Sequence, residues 1–202
     1  AASDVYKRQI ESRDGSTGLH VKNTQNYVQI LTKALREKGM YPDILDHNYE
    51  LNTVKASVLH DIGKIKTPDA ILLKPGRLTD EEFEVMKQHT VAGCEIIDRI
   101  IGNVEHEEYV DIARKIARYH HERWDGTGYP DGLSGEEIPL CARIMALADV
   151  FDALYQDRCY KKAIRPASKV FEIIKENSGS QFDPNLTEIF LELQREITDI
   201  SE

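Results

Sequence analysis

The sequence predicts an all-α domain, a bundle of about seven helices, on three observations. Apolar residues recur at spacings of three and four along nearly the whole chain. Helix-opening chemistry sits where the segments start: Thr79 and Glu82 at capping-box spacing, and Pro166 and Pro184 heading the last two segments. Strand-like alternation and internal repeats are absent from the pattern. A chain of 202 residues can close such helices around one core without disulfide staples.

Val28, Leu31 and Leu35 define the first helix, and His20, Thr24 and Tyr27 extend the same side toward its start. A second helix is expected over about residues 48–62, with Leu51, Val54, Val58 and Ile62 on its inner face. The third opens at Thr79 and carries Phe83, Met86, His89 or Thr90, Gly93, Ile97 and Ile100 as its stripe. The fourth is expected over about residues 109–124, with Tyr109, Ala113, Ile116 and His120 in line. IPLCARIMALADVFDALY is apolar nearly all round, which predicts a central, buried helix. Two helices near 166–177 and 184–198 complete the bundle. The opening AASDVYKRQ resembles translated adapter sequence, so residues 1–11 are read as a partly non-native or linker segment and the domain as 12–202.

A formal charge of −9 speaks against a polynucleotide binder, which needs a basic stripe to neutralise phosphates. It allows a small anionic ligand at a local positive site, and a bound metal creates one. No apolar run reaches the length of a membrane span and residues 1–15 lack a secretory core, so a cytoplasmic protein is expected. Cys94, Cys141 and Cys159 share no metal-binding spacing and are read as reduced packing residues.

The chemistry concentrates in histidines and aspartates. His20, His89 and His120 fall on apolar helix faces, His60 is followed directly by Asp61, His121 adjoins His120, and Asp149 lies inside the most apolar helix. Any one of them would ordinarily be a core residue bonded to a backbone carbonyl or a basic side chain. Five imidazoles and two carboxylates on inward faces with few basic groups are better satisfied as a set by divalent cations. Seven ligands exceed what one tetrahedral zinc uses and suit two metals sharing a carboxylate.

His60-Asp61 within VLHDIGKI, followed by HHERWDGTGYP and ADVFDALYQDRCYKKA, resembles the HD-GYP family of bacterial signalling phosphodiesterases. The similarity runs over about residues 12–190 and takes in KPGRLTDEEFEVMKQHT and SGSQFDP. It implies an HD-type helical bundle with the GYP loop folded over a dinuclear site of iron or manganese. His20, His60, Asp61 and Asp149 would hold one metal, and Asp61 would bridge to a second held by His89, His120 and His121. Lys64 would contact the scissile phosphate, facing the same way as His60 if the helix continues through Gly63. Arg158 and Lys161 would meet substrate phosphate or guanine, and Asp152 would hold one of them or a guanine edge. Tyr129 is expected either to pack beside a guanine base or to act as a structural clamp.

The activity implied is metal-dependent hydrolysis of cyclic di-GMP to linear pGpG or GMP, with Asp61 and Lys64 as the catalytic pair. The partners implied are cyclic di-GMP, diguanylate cyclase domains docking on the GYP loop, an upstream receiver-like domain suggested by ESRDGSTGLH, and a second copy in a homodimer. A nucleotide-responsive interaction module is the rival of a different class; a hydrolase of another cyclic dinucleotide or nucleoside phosphate is a third reading. Cys159 stands where DRPY-type segments carry proline, and Ser16 stands where many members carry a Glu four residues before the first histidine. A neutral hydroxyl is a poor ligand for a hard cation, so two metals per chain are expected, and three only after Ser16→Glu. Anaerobic metal counting on both proteins checks this; three tightly held metals in the unmutated chain would refute it.

Overall fold

The helix Leu140–Tyr155 presents no polar face to water, and the helices Gly18–Glu37, Glu107–Tyr119, Ala167–Glu176 and Pro184–Glu192 pack against it. The computed structural model describes residues 18–101, 107–156 and 163–200. Ser16, Arg158, Cys159 and Lys161 lie outside the described residues. In chain order the helices are α1 (Gly18–Glu37), α2 (His47–Ala56), the short α3 (Asp69–Leu72), α4 (Asp80–Ile101), α5 (Glu107–Tyr119), α6 (Leu140–Tyr155), α7 (Ala167–Glu176), α8 (Pro184–Glu192) and α9 (Gln194–Asp199). Short 3-10 turns occupy Ser57–Leu59, Ile62–Lys66 and Gly135–Glu137. Among the described residues there is no strand, only an isolated bridge between Ser178 and Phe182.

The predicted all-α bundle is therefore the observed one. α1 packs on α6 and α2, α2 on α5, and α4 on both α5 and the Ile62–Lys66 turn. Phe151 of α6 is the hub of the core, its ring within 5.7 Å of those of Tyr27, Tyr155, Phe171 and Phe190. Aromatic rings in edge and offset contact add to the apolar area they bury, which ties α1, α7 and α8 to the central helix. The capping box opens α4 as expected: Glu82 N–H donates to Thr79 Oγ1 at 3.3 Å, and Thr79 N–H to Glu82 Oε2 at 2.7 Å.

Several helix limits differ from the pattern. The helix expected over 48–62 stops at Ala56, and Leu51 faces out while Glu50, Thr53 and Ala56 face in. Arg36 of α1 pairs with Glu50, so a carboxylate can occupy an inward position that the apolar pattern gave to leucine. The break has a local cause. Ser57 Oγ donates back to Val54 carbonyl at 2.8 Å, competing with the α-helical ladder, and the chain tightens into 3-10 turns. The fourth helix ends at Tyr119, so His120 and His121 form a turn, and the last expected helix divides at Leu193 into α8 and α9.

A polar lock closes the far side of the bundle. Arg143 of α6 donates through Nη1 to Asp183 Oδ2 at 2.6 Å, and Asp183 caps α8 through the N–H groups of Asn185 and Leu186. Tyr41 and Trp124 flank the guanidinium. Removing one partner of a buried pair leaves an uncompensated charge. Asp183→Ala is accordingly expected to lower unfolding free energy by about 3–5 kcal/mol, read by urea unfolding; a loss near zero would mean that Arg143 has another way to reach water.

Candidate metal centre

His60 and Asp61 sit between two 3-10 turns, at the place where the α-helical path is broken. Asp61 holds φ −99° and ψ 11°, a sparsely used region that aims its side chain into the bundle. The turn that follows lies directly on α4, because Gly63 has no side chain. A Cβ there would overlap the His89 carbonyl oxygen and collide with the Gly93 N–H, so the two backbones touch and bring Asp61 to His89. Lys64 does not follow His60 in a continuous α-helix, as the sequence reading required. The 3-10 turn achieves a similar result by superposing residues three apart, and Lys64 Nζ lies 2.7 Å from Asp61 Oδ2.

The histidines are held from behind. Nδ1 of His60 meets Ser57 carbonyl at 2.8 Å, Nδ1 of His89 meets Met86 carbonyl at 2.7 Å, and Nδ1 of His120 meets Ile116 carbonyl at 2.9 Å. A carbonyl can only accept, so in each neutral ring the proton is on Nδ1 and the Nε2 lone pair points inward. Those three Nε2 atoms and Asp61 Oδ1 are buried without a hydrogen-bond partner. Asp61 Oδ2 stands 3.3 Å from His60 Nε2, and Oδ1 stands 3.4 Å from His89 Nε2 and 3.7 Å from His120 Nε2. Lone pairs converging on a carboxylate repel unless a cation lies among them, so the donor set fits divalent metal.

Two groups of ligand atoms lie within 4.8 Å of one another: Asp61 with His89, His120 and His121, and Asp61 with His20 and His60. Asp61 belongs to both. Asp149 is outside these groups, yet its Oδ1 is 3.5 Å from His20 Nε2. All seven sequence-derived metal candidates are therefore neighbours. Two imidazoles are held in the neutral form that ligates: burial pushes His89 down to about 4 and, with His120 and His89 beside it, holds His121 well below the ordinary imidazole range, whereas at His60 the effect of burial is outweighed by Asp61 and Asp149, which raise it. Burial opposes ionisation of Asp61, but Lys64 and His60 outweigh it and hold the carboxyl well below its usual value. The two cysteines among the described residues, Cys94 and Cys141, are free and contribute no thiolate to either group.

Asp152 is fully buried and faces α1; Arg158 and Lys161, the cations it is expected to meet, lie outside the described residues. Its Oδ2 lies 2.6 Å from His20 Nδ1, and Oδ1 accepts from Asn23 Nδ2 at 3.1 Å and Tyr27 hydroxyl at 3.5 Å. Asp152 thereby orients His20.

The GYP loop folds back on the histidines, as the sequence reading expected. Tyr129 N–H donates to His121 carbonyl at 3.3 Å, and its ring lies 4.9 Å from the His121 ring and 6.0 Å from Phe83. Glu122, which the sequence reading passed over, fastens the loop: its Oε1 accepts from Asp131 N–H at 2.8 Å and Gly132 N–H at 3.1 Å. A Cβ on Gly128 would collide with the backbone of Glu122 and Arg123. The late SGSQFDP segment supports the loop from outside, Ser180 and Gln181 carbonyls accepting from Asp125 and Trp124 N–H. The only trace of Glu122 in the sequence is its place directly after two histidines.

Residues 19–186 match a family model described as HD domain. The chain belongs to the HD domain family. The HD-GYP resemblance of its His60-Asp61 and GYP segments agrees with that membership. It is 46% identical to a cyclic di-GMP phosphodiesterase of Vibrio cholerae, over 95% of this chain and 39% of that protein. It is 49% identical to a cyclic di-GMP phosphodiesterase of Thermotoga maritima, over 72% of this chain and 38% of that one. The chain thus spans about two fifths of the length of these curated relatives. A solved cyclic GMP-AMP specific phosphodiesterase of V. cholerae shares the fold, with a TM-score of 0.60 and 20% identity over 89% of this chain and 47% of its own.

Carboxylates that hold a ligand histidine's outer nitrogen set its tautomer and direction, and losing one typically weakens metal binding about 10–100-fold. Asp152→Asn is expected to reduce metal affinity in that range while the helices stay folded. Chelator competition with circular dichroism reads both; wild-type affinity would show that His20 needs no such support.

Proposed function

We propose that this chain is the catalytic domain of a metal-dependent phosphodiesterase that opens cyclic di-GMP to linear pGpG. The observation that carries the reading is the convergence of the buried, unpartnered Nε2 atoms of His60, His89 and His120 on Asp61. His20, His60, Asp61 and Asp149 would hold one cation, and Asp61, His89, His120 and His121 a second. Iron or manganese suits nitrogen and carboxylate donors that include no thiolate. Two such cations supply Lewis-acid polarisation of a phosphoryl oxygen and a lowered pKa for water.

The chain's own groups do the rest. Lys64, held against Asp61 Oδ2, offers a positive donor at the edge of the cluster, where charge grows on a phosphoryl oxygen during attack. Carbonyl-anchored imidazoles keep their lone pairs aimed without reorganisation. Tyr129 lies against His121, and its ring is assigned to packing beside a base. Arg158 and Lys161, outside the described residues, are assigned to phosphate or guanine. Cyclic di-GMP is favoured over other diesters because relatives 46% and 49% identical to this chain carry that activity in their names.

A purely interaction-type module is disfavoured, since such a module has no use for seven converging ligands. The assignment extends to a cytoplasmic protein, an upstream receiver-like domain, docking of a diguanylate cyclase domain on the GYP loop and a homodimer. No helix among the described residues is long and apolar enough to cross a membrane.

Asp61 is the group common to both ligand sets, so Asp61→Ala is expected to lose metal and turnover together. Lys64→Ala should keep its metal and lose about a hundredfold or more in kcat. Metal analysis and single-turnover assays separate the two variants; full metal and turnover in Asp61→Ala would end the bridging assignment.

A further inference from the structure

Beside the metal centre lies a cavity of about 260 Å3 whose lining includes Lys64, Ile71, Leu72, Lys74, Leu78 and Met86. It shares Lys64 with the site, whose ammonium meets Asp61. Met86 stands one helical turn before His89, and its carbonyl is the acceptor that orients that ring. The cavity therefore begins within about one turn, roughly 5 Å, of groups that hold the cluster. It is smaller than the pockets of roughly 300–1,000 Å3 that take whole drug-sized ligands. Four of the six residues named are apolar and two are lysines. That chemistry suits a flat heterocycle with an acceptor edge.

Lys74 is aimed rather than merely present. Gly76, at φ 120°, turns the chain back after Lys74 toward the start of α4. There Glu82 Oε2 accepts Lys74 Nζ at 2.5 Å and Thr79 N–H at 2.7 Å, so the capping box of α4 also fixes a lysine. An ammonium has three donors, and Glu82 engages one. Guanine presents O6 and N7 as adjacent acceptors on one edge; adenine replaces O6 with an amino donor there, which opposes an ammonium.

We propose that this cavity receives one guanine base of the substrate, with Lys74 donating to its O6 and N7 and so determining base specificity. The proposal rests on the phosphodiesterase reading above and gives the KPGRLTDEEF segment a task. Guanine against adenine at one position is what separates cyclic di-GMP from cyclic dinucleotides containing adenine.

The test compares metal-loaded wild type with Lys74→Met, which keeps most of the stem and removes the charge, and with Leu78→Trp, which fills the cavity. Substrates are cyclic di-GMP, cyclic di-AMP and bis(p-nitrophenyl) phosphate, a diester without bases; calorimetry uses a non-hydrolysable phosphorothioate cyclic di-GMP. In Lys74→Met the ratio of kcat/KM for cyclic di-GMP to that for the base-free diester should fall about tenfold. The preference over cyclic di-AMP should collapse, and the analogue's affinity should fall by a similar factor. Leu78→Trp should lower the same ratio. Unchanged ratios and preference in both variants would overturn the cavity assignment and leave the phosphodiesterase reading standing. A wild type that cleaves no diester would overturn that reading, and equal analogue affinities in wild type and Lys74→Met would then overturn the cavity as well.

Discussion

A carboxylate buried among imidazoles is tenable only where positive charge reaches it, and supplying that charge to Asp61 organises this domain. His20 comes from α1, His60 and Lys64 from the broken segment around Asp61, His89 from α4, and His120 and His121 from the turn after α5. α6 adds Asp149 and Asp152 from the most apolar helix in the chain. Three of the imidazoles are anchored to carbonyls of their own segments, so their direction is set by local backbone. His20 is anchored differently. Its outer nitrogen is held by Asp152 on a different helix, which makes the packing of α1 against α6 part of the site.

The readable parts of this fold were those governed by one element at a time. Periodicity identified α1 and α6 because most of their buried positions are apolar, among them Val28, Leu31 and Leu35 of α1 and Ile144, Leu147 and Phe151 of α6. It chose the wrong face for α2 because the Arg36–Glu50 pair lets charge point inward, and a pairing between helices leaves no mark in a local pattern. The metal candidates were legible as a set, since histidines on apolar faces need partners and their number exceeded what the core could offer. Asp149 and Asp152 stand one turn apart yet meet His20 through different ring nitrogens, a distinction that the helical pattern does not carry. Gly63 and Glu122 gave little warning because their roles are contacts between backbones distant in sequence.

The end of α5 joins two functions in consecutive residues. His120 and His121 enter the cluster, and Glu122, immediately after them, holds the GYP loop by two of its N–H groups. Arg118, one turn earlier, grips the same loop through Asp131. The loop is thus carried by the helix end that carries two ligands. Any displacement of that helix end moves cover and ligands as one body, which explains how a loop rich in glycine can keep a fixed relation to the histidines beneath it.

The direct contact between Gly63 and α4 has a separate consequence for how such a site can diversify. Where side chains separate two elements, their spacing can be adjusted in small steps by exchanging one residue for a slightly larger or smaller one. Here there is no side chain to exchange, and the distance between Asp61 and His89 is set by backbone against backbone. Variation in metal preference or reactivity must then come from replacing donors or from groups at the rim. The centre itself behaves as a fixed gauge.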